Sequence, residues 1–248
     1  MKFTDIGIII SQKSYSENSA IVKIFTQNHG IYCGFVSAPK SKKNQAIFQI
    51  GNLISFEWRS RNEEGLGHFY YPDLIKSFAA QIIFDRLKLS CCSSLFYIIE
   101  SCFLERENHH NLFVKIHDFL LKISQDQEAK KSFIGDYIKI ELKILKTLGY
   151  GIDLSSCVVT NSTTDLVFVS PKSARAVSLE IGKPYANLLL KLPPFLLTDP
   201  AENDDIENAH LFDGLKLSGY FLEKFVFAEQ KLRPSSRSSI EAALRSCL

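Results

Sequence analysis

The residues of this chain best suited to chemistry are cations, gathered in Ala38-Pro39-Lys40-Ser41-Lys42-Lys43-Asn44 and again at Arg59 and Arg61. From Ser37 to Arg61, five Lys/Arg (Lys40, Lys42, Lys43, Arg59, Arg61) face one acid, Glu57, a local excess of +4 in a chain of formal charge +2. Up to Ala80 nine Lys/Arg oppose six Asp/Glu (+3), and beyond it twenty oppose twenty-one (−1). Grouped lysines and arginines bind polyanions by releasing the counterions held around phosphates, an effect that gives affinity without sequence preference. The first part of the chain is therefore expected to meet an anionic partner, and Lys13 and Lys23 join the candidate phosphate contacts.

Other chemistries find less support. A four-ligand zinc site needs two closely spaced pairs of Cys or His, whereas Cys157 is the only thiol between Gly149 and Pro184 and no histidine accompanies it. The remaining cysteines (Cys33, Cys91, Cys92, Cys102, Cys247) are irregularly spaced and read as buried or inert thiols. His109, His110 and His117 lack an acidic third ligand at a supporting spacing. Gly65-Leu66-Gly67-His68 is too short for a phosphate-binding loop, and no Walker loop, nucleophile elbow or recognisable carboxylate pair occurs. Neither a metal, a cofactor nor catalytic turnover is expected.

The elements that must position the basic segment are strands. Five candidates lie between Asp5 and Phe78: Ile6 to Ser11, Ser19 to Thr26, Ile31 to Val36, Ile47 to Arg61 with a bend near Gly51, and Leu66 to Phe78, interrupted by Pro72. Asn28-His29-Gly30 supplies a tight turn between the second and third. Partial alternation after Leu53 aims Glu57, Arg59 and Arg61 along one face. Five short strands in under eighty residues suggest a small barrel, an OB-fold first and an SH3-like barrel second. On such a barrel Phe35, Phe48, Trp58, Phe69, Tyr70 and Tyr71 are candidates for stacking on unpaired bases, with half or more of them expected in the core.

From Ala79 the texture becomes helical, so the domain boundaries are drawn at 1–79 for the barrel and 80–248 for a helical domain. Helices are expected over Ala79 to Leu104, Leu112 to Ile123 and Phe133 to Leu148. The polar run Ser124 to Lys131 ends or interrupts the second, and Gly149-Tyr150-Gly151 stops the third. On that third helix Lys139, Lys143 and Lys146 form a stripe, read either as a solvated face or as the edge of a groove for an acidic peptide. A small hairpin insertion, at about 155–180, has Ser170-Pro171-Lys172-Ser173-Ala174-Arg175 as its basic tip. Helix is expected again after Pro184, then from Ile206 to Phe227 beyond the acidic Glu202 to Asp205, and finally from Ser236 to Leu244. With 46% hydrophobic and 23% charged residues the chain is too apolar for global disorder. No signal-peptide core or membrane span is evident, because Leu188-Leu189-Leu190 is broken by Lys191 and Pro193-Pro194, so a soluble cytoplasmic protein is expected.

Over nearly its whole length the sequence resembles the RecO family of bacterial recombination mediators. The residues that carry the likeness are Asp5-Ile6-Gly7-Ile8-Ile9-Ile10, Glu17 to Val22, Phe25-Thr26, His29-Gly30, the basic loop and Gln49-Ile50-Gly51-Asn52-Leu53. To these add Glu141-Leu142 through Leu148-Gly149-Tyr150-Gly151-Ile152-Asp153-Leu154 to Cys157, then Val169 to Lys172 and Arg175 to Ser178. The resemblance implies an N-terminal OB-fold, a helical C-terminal domain and no enzymatic turnover. It implies binding and annealing of single- and double-stranded DNA. It also implies cooperation with RecR to help RecA onto DNA coated by single-strand-binding protein (SSB). Some relatives carry a four-cysteine zinc site near the hairpin, of which this chain keeps only Cys157, so no zinc is expected. Some place an arginine and an aromatic just before the Glu-Leu, near the SSB-tail site. Here Lys139 and Ile140 stand there, and Lys139 and Lys143 are the candidates for that contact, with charge retained but the bidentate fork lost. The competing reading is a peptide-binding adaptor without direct DNA binding, its basic loop serving solubility alone.

Overall fold

The computed structural model describes residues 1–62, 65–125, 133–198, 206–228 and 235–245. By its contacts the chain divides into two units, Met1–Gln127 and Glu128–Leu248.

The first unit is built on five strands, β1 (Lys2–Ser16), β2 (Ser19–Thr26), β3 (Gly30–Ser37), β4 (Leu53–Arg59) and β5 (Gly67–Lys76). They form a closed barrel in the order β1-β2-β3-β5-β4, an OB-like topology. All neighbours are antiparallel except β3 and β5, whose short parallel pairing (Gly34↔Gly67, Phe35↔His68) completes the closure. Inward positions of every strand supply the core, with Ile9, Val22, Ile24, Tyr32, Ile54 and Trp58 among its members. The turn between β2 and β3 works as its sequence predicts. Gly30 takes φ +81°, and a Cβ there would lie 2.0 Å from the Glu107 carbonyl oxygen, so both backbone freedom and lack of a side chain are required.

One strand expectation fails. Lys42–Ile47 is a short helix, α1, and β4 begins only at Leu53, so the basic segment joins β3 to a helix rather than to a strand. Ile47 and Phe48 are both buried in the barrel core, which adjacent residues of an alternating strand cannot achieve. Ser41 caps the helix by accepting from the Asn44 amide (3.3 Å), and the Asn44 side chain donates to the carbonyls of Ser37 and Ala38. The long helix expected from Ala79 is two helices, α2 (Phe78–Ile82) and α3 (Arg86–Cys102), because the Asp85 carboxylate accepts from the amides of Leu87 and Lys88 and restarts the chain. With α4 (His110–Gln125), they pack against each other and against β1 and β2. The packing boundary thus falls well after the change of texture at residue 79.

In the second unit α5 (Phe133–Thr147) packs on α7 (Asn208–Leu222), which runs into a π-helical turn, Glu223–Phe227. The C-terminal helix α8 (Ser235–Arg245) also packs on α7. The hairpin is present as β6 (Leu166–Val169) and β7 (Ala176–Ser178), and a strand not read from the sequence, β8 (Leu190–Lys191), makes it a three-stranded sheet of order β7-β6-β8. Around Pro184 the chain forms a 3-10 turn at Lys183–Tyr185, following the short α6 (Leu179–Gly182), and a second at Pro194–Leu196; among the described residues longer helix returns at Asn208. Residues 126–131 of the polar run, the acidic stretch 202–205 and Cys247 lie outside the described residues.

Candidate nucleic-acid interface

Lys40, Lys42 and Lys43 are all exposed, and among the described residues no carboxylate pairs with any of them. Their backbone is fixed although their side chains are not. Ala38 turns the chain out of β3 at φ +47°, and its amide donates to the Asn18 carbonyl (2.9 Å). The Ser41 cap then sets α1, anchored in the barrel by buried Ile47 and Phe48. Asn52, fully buried, holds the far end of α1 by donating to the carbonyls of Ala46 (2.9 Å) and Ile47 (3.2 Å), while its Oδ1 accepts from the Ala79 amide. Lysines whose charge no described residue offsets keep it available to an external phosphate, which is what a phosphate-binding surface requires.

The other candidate cations are placed differently. Arg59 forms an ion pair with Glu57, which also takes Lys2 at 3.0 Å; the Arg59 hydrogen bond holds the Glu57 carboxyl below its ordinary range. One unit of positive charge is left over from this triad. Arg61 lies exposed beyond the end of β4 rather than in register with Arg59. Lys23 is bound to Glu100 (3.5 Å) and Glu105 (3.7 Å), and Lys13 approaches Glu100 at 3.8 Å, so two acids from distant sequence offset this pair. Of the six aromatic candidates, Phe48, Trp58 and Phe69 are core, and the Trp58 indole N–H donates to the Cys33 carbonyl (3.1 Å). Phe35, Tyr70 and Tyr71 face outward.

Several motif residues prove architectural. The Asp5 carboxylate is saturated by four donors: the amides of Ile6 and Asn28, the Asn28 side chain, and His29 Nδ1 at 2.6 Å. In the second unit Lys139 and Lys143 are half-buried on α5, with the Lys139 ammonium 6.0 Å from the centre of the Phe195 ring. Between them lies what the sequence reading missed. Glu141, fully buried, accepts from the Tyr137 hydroxyl (2.6 Å), the Ser218 hydroxyl (2.5 Å) and Arg237 Nε (2.8 Å). Arg237 donates further to the Leu215 carbonyl (2.6 Å) and to Glu241. Burial alone would lower the guanidinium's proton affinity, but Glu141 raises it instead. Only the Glu-Leu of α5 hinted at this, since a charged residue inside an apolar helical pattern needs a partner.

Burial pushes the Cys157 thiol up, yet hydrogen bonds from Ser178 and Thr160 outweigh it and hold it down at about 6. The Ser178 hydroxyl donates to Sγ at 3.4 Å, and the residue is 0% exposed, so this sulfur is an internal acceptor that reagents cannot reach. Among the described residues no group of three or more His, Cys, Asp or Glu is placed to hold a metal ion, and no helix is long and apolar enough to cross a membrane.

Comparison with known proteins adds a second line. Residues 1–78 match the family described as "Recombination protein O N terminal", and residues 83–234 match "Recombination protein O C terminal". The chain is 40% identical over 241 residues to a protein of Rickettsia typhi (strain ATCC VR-144 / Wilmington) named DNA repair protein RecO, covering 97% of this chain and 98% of that one. It is 38% identical over 247 residues to the protein of the same name from Rickettsia canadensis (strain McKiel), covering 100% of this chain and 98% of the relative.

Proposed function

This chain belongs to the RecO family, and from that premise we propose that it is a non-catalytic, cytoplasmic DNA-binding mediator of recombinational repair. In this reading Lys40, Lys42 and Lys43 contact phosphates of single- and double-stranded DNA. Arg59, Arg61, Lys13 and Lys23 contribute less, the last two because Glu100 and Glu105 already compete for them. The observation that carries it is the trio of exposed lysines with no carboxylate partner among the described residues, in the segment that leaves β3 of an OB-like barrel. Charge held out in water, beside a fold whose geometry suits a nucleic-acid strand, is available to an external anion.

The reading extends to strand annealing, to RecR as working partner, and to RecA as indirect beneficiary when DNA is coated by SSB. Lys139 and Lys143 would then receive the acidic C-terminal tail of SSB. Lysine provides charge there without the paired hydrogen bonds of an arginine, so this contact should be salt-sensitive.

The test is fluorescence-anisotropy titration of labelled single-stranded DNA at several salt concentrations, comparing the wild type with the Lys40→Ala/Lys42→Ala/Lys43→Ala variant. The variant should bind more weakly on every sequence, with the slope of log K against log salt shallower by about two to three. Unchanged affinity and slope would remove the basic segment from the interface. No binding by the wild type at low salt would leave the adaptor reading in its place.

A further inference from the structure

Five rings follow one another over the outer wall of the barrel. Tyr15, near the end of β1, lies 5.1 Å from Phe35 of β3, centre to centre, and Phe35 lies 5.3 Å from His68 of β5. His68 is 6.1 Å from Tyr70, and Tyr70 6.3 Å from Tyr71. Strand alternation explains most of the row. Phe35 precedes buried Val36, and His68 and Tyr70 flank buried Phe69, so these three point away from the core. The parallel register of β3 and β5 sets Phe35 directly opposite His68 and joins the two strands' rings.

Tyr71 joins the row by an irregularity. The pairing of β4 with β5 slips between Ser55 and Glu57, where Tyr71-Pro72 adds a residue to β5, and Tyr71 adopts φ +49°. A left-handed backbone at a bulky residue is costly, and here it serves no packing, because Tyr71 is 74% exposed. Tyr15 at 65% and Tyr70 at 39% exposure likewise contribute little to the core. Cations stand at both ends of the row. The Arg59 guanidinium lies 4.8 Å from the Tyr70 ring centre and 5.7 Å from that of Tyr71, and the exposed lysines of 40–43 follow the end of the strand that carries Phe35.

We propose that this row is a stacking track for the unpaired bases of single-stranded DNA, a refinement that rests on the DNA-binding reading above. Rings on which successive bases can lie, with a basic group at each end to take the phosphates, match single-strand recognition, and five rings suit on the order of four or five nucleotides. A duplex hides its base faces within its own stack and gains nothing from the rings. The track therefore discriminates between DNA forms, whereas the lysines, which act on phosphates, do not.

Three labelled probes of equal length separate the two contributions: a single-stranded oligodeoxynucleotide, the corresponding abasic sugar-phosphate strand, and the duplex. By anisotropy, Tyr15→Ala/Tyr71→Ala should lose at least about tenfold in affinity for the single strand while its affinities for the other two probes stay within about twofold of wild type. Tyr71→Trp should retain single-strand binding and show indole quenching by the oligonucleotide but not by the abasic strand. Equal losses on all three probes, or no loss on any, would overturn the track while leaving the DNA-binding reading intact. A wild type that binds none of the three would overturn both.

Discussion

The two units treat positive charge in opposite ways. In the barrel unit Lys40, Lys42 and Lys43 stand in solvent on a braced backbone, and nothing among the described residues neutralises them. In the second unit Arg237 is 1% exposed and has its donors directed at Glu141, Glu241, Ser218 and the Leu215 carbonyl. A lysine in water keeps its full charge for a partner, and its removal costs the fold almost nothing. A buried arginine is already committed to internal acceptors, and its removal strands a carboxylate in a low-dielectric core. The same formal charge is an instrument of binding in one unit and of packing in the other.

The sharpest way to break this contrast is Arg237→Met. With Glu141 left fully buried and without its cation, the second unit should lose about 3–5 kcal/mol in urea unfolding of the whole chain. Changing Glu141 and Arg237 together to apolar residues of similar volume should cost much less, because no lone charge remains. The Lys40/Lys42/Lys43 triple alanine variant, by contrast, should unfold within about 0.5 kcal/mol of wild type per site while losing DNA affinity. If Arg237→Met were as stable as wild type, or the triple variant unfolded, the division between packing charge and binding charge would not hold.

A smaller effect probes the same pocket from its wall. A Cβ added at Gly219 would lie 2.6–2.8 Å from the Arg237 guanidinium atoms, so Gly219→Ala should cost about 1–3 kcal/mol as an overpacked contact. In the Arg237→Met background that clash loses its rigid partner. The two substitutions should therefore be less than additive, and a double-mutant cycle measures the coupling. Strict additivity would mean that the glycine is required for some reason other than the close approach of the guanidinium.

These residues also mark where the sequence was legible. The barrel could be read because its strands alternate and Asn28-His29-Gly30 marks the turn between β2 and β3, and α5 because Gly149 follows its last turn, all local signals. Its basic segment was legible as charge but not as α1, because Lys42-Lys43-Asn44-Gln45 has no apolar period and the helix is fixed by Ser41 and by two adjacent core residues. Lys13 and Lys23 read as available because Glu100 and Glu105 lie far along the chain. Glu141 and Arg237 are 96 residues apart, and no spacing rule connects them. The aromatic row was half visible: Phe35, Tyr70 and Tyr71 stood out, but Tyr15 and His68 join it only through the pairing of strands.

The finest test of the contrast asks whether the barrel unit accepts strain for the sake of its surface. Tyr71 sits at φ +49° with its ring mostly in solvent, so Tyr71→Gly removes a backbone penalty and little buried area. Glycine's greater freedom in the unfolded chain offsets part of that relief, leaving thermal stability unchanged or raised by less than about 1 kcal/mol. Single-strand affinity should fall in the same protein. A melting curve and one titration on this variant decide the matter. Gain or parity in stability with loss of binding identifies the bulge as a place where folding yields to recognition, whereas a clear loss of stability would show that the exposed ring supports the barrel after all.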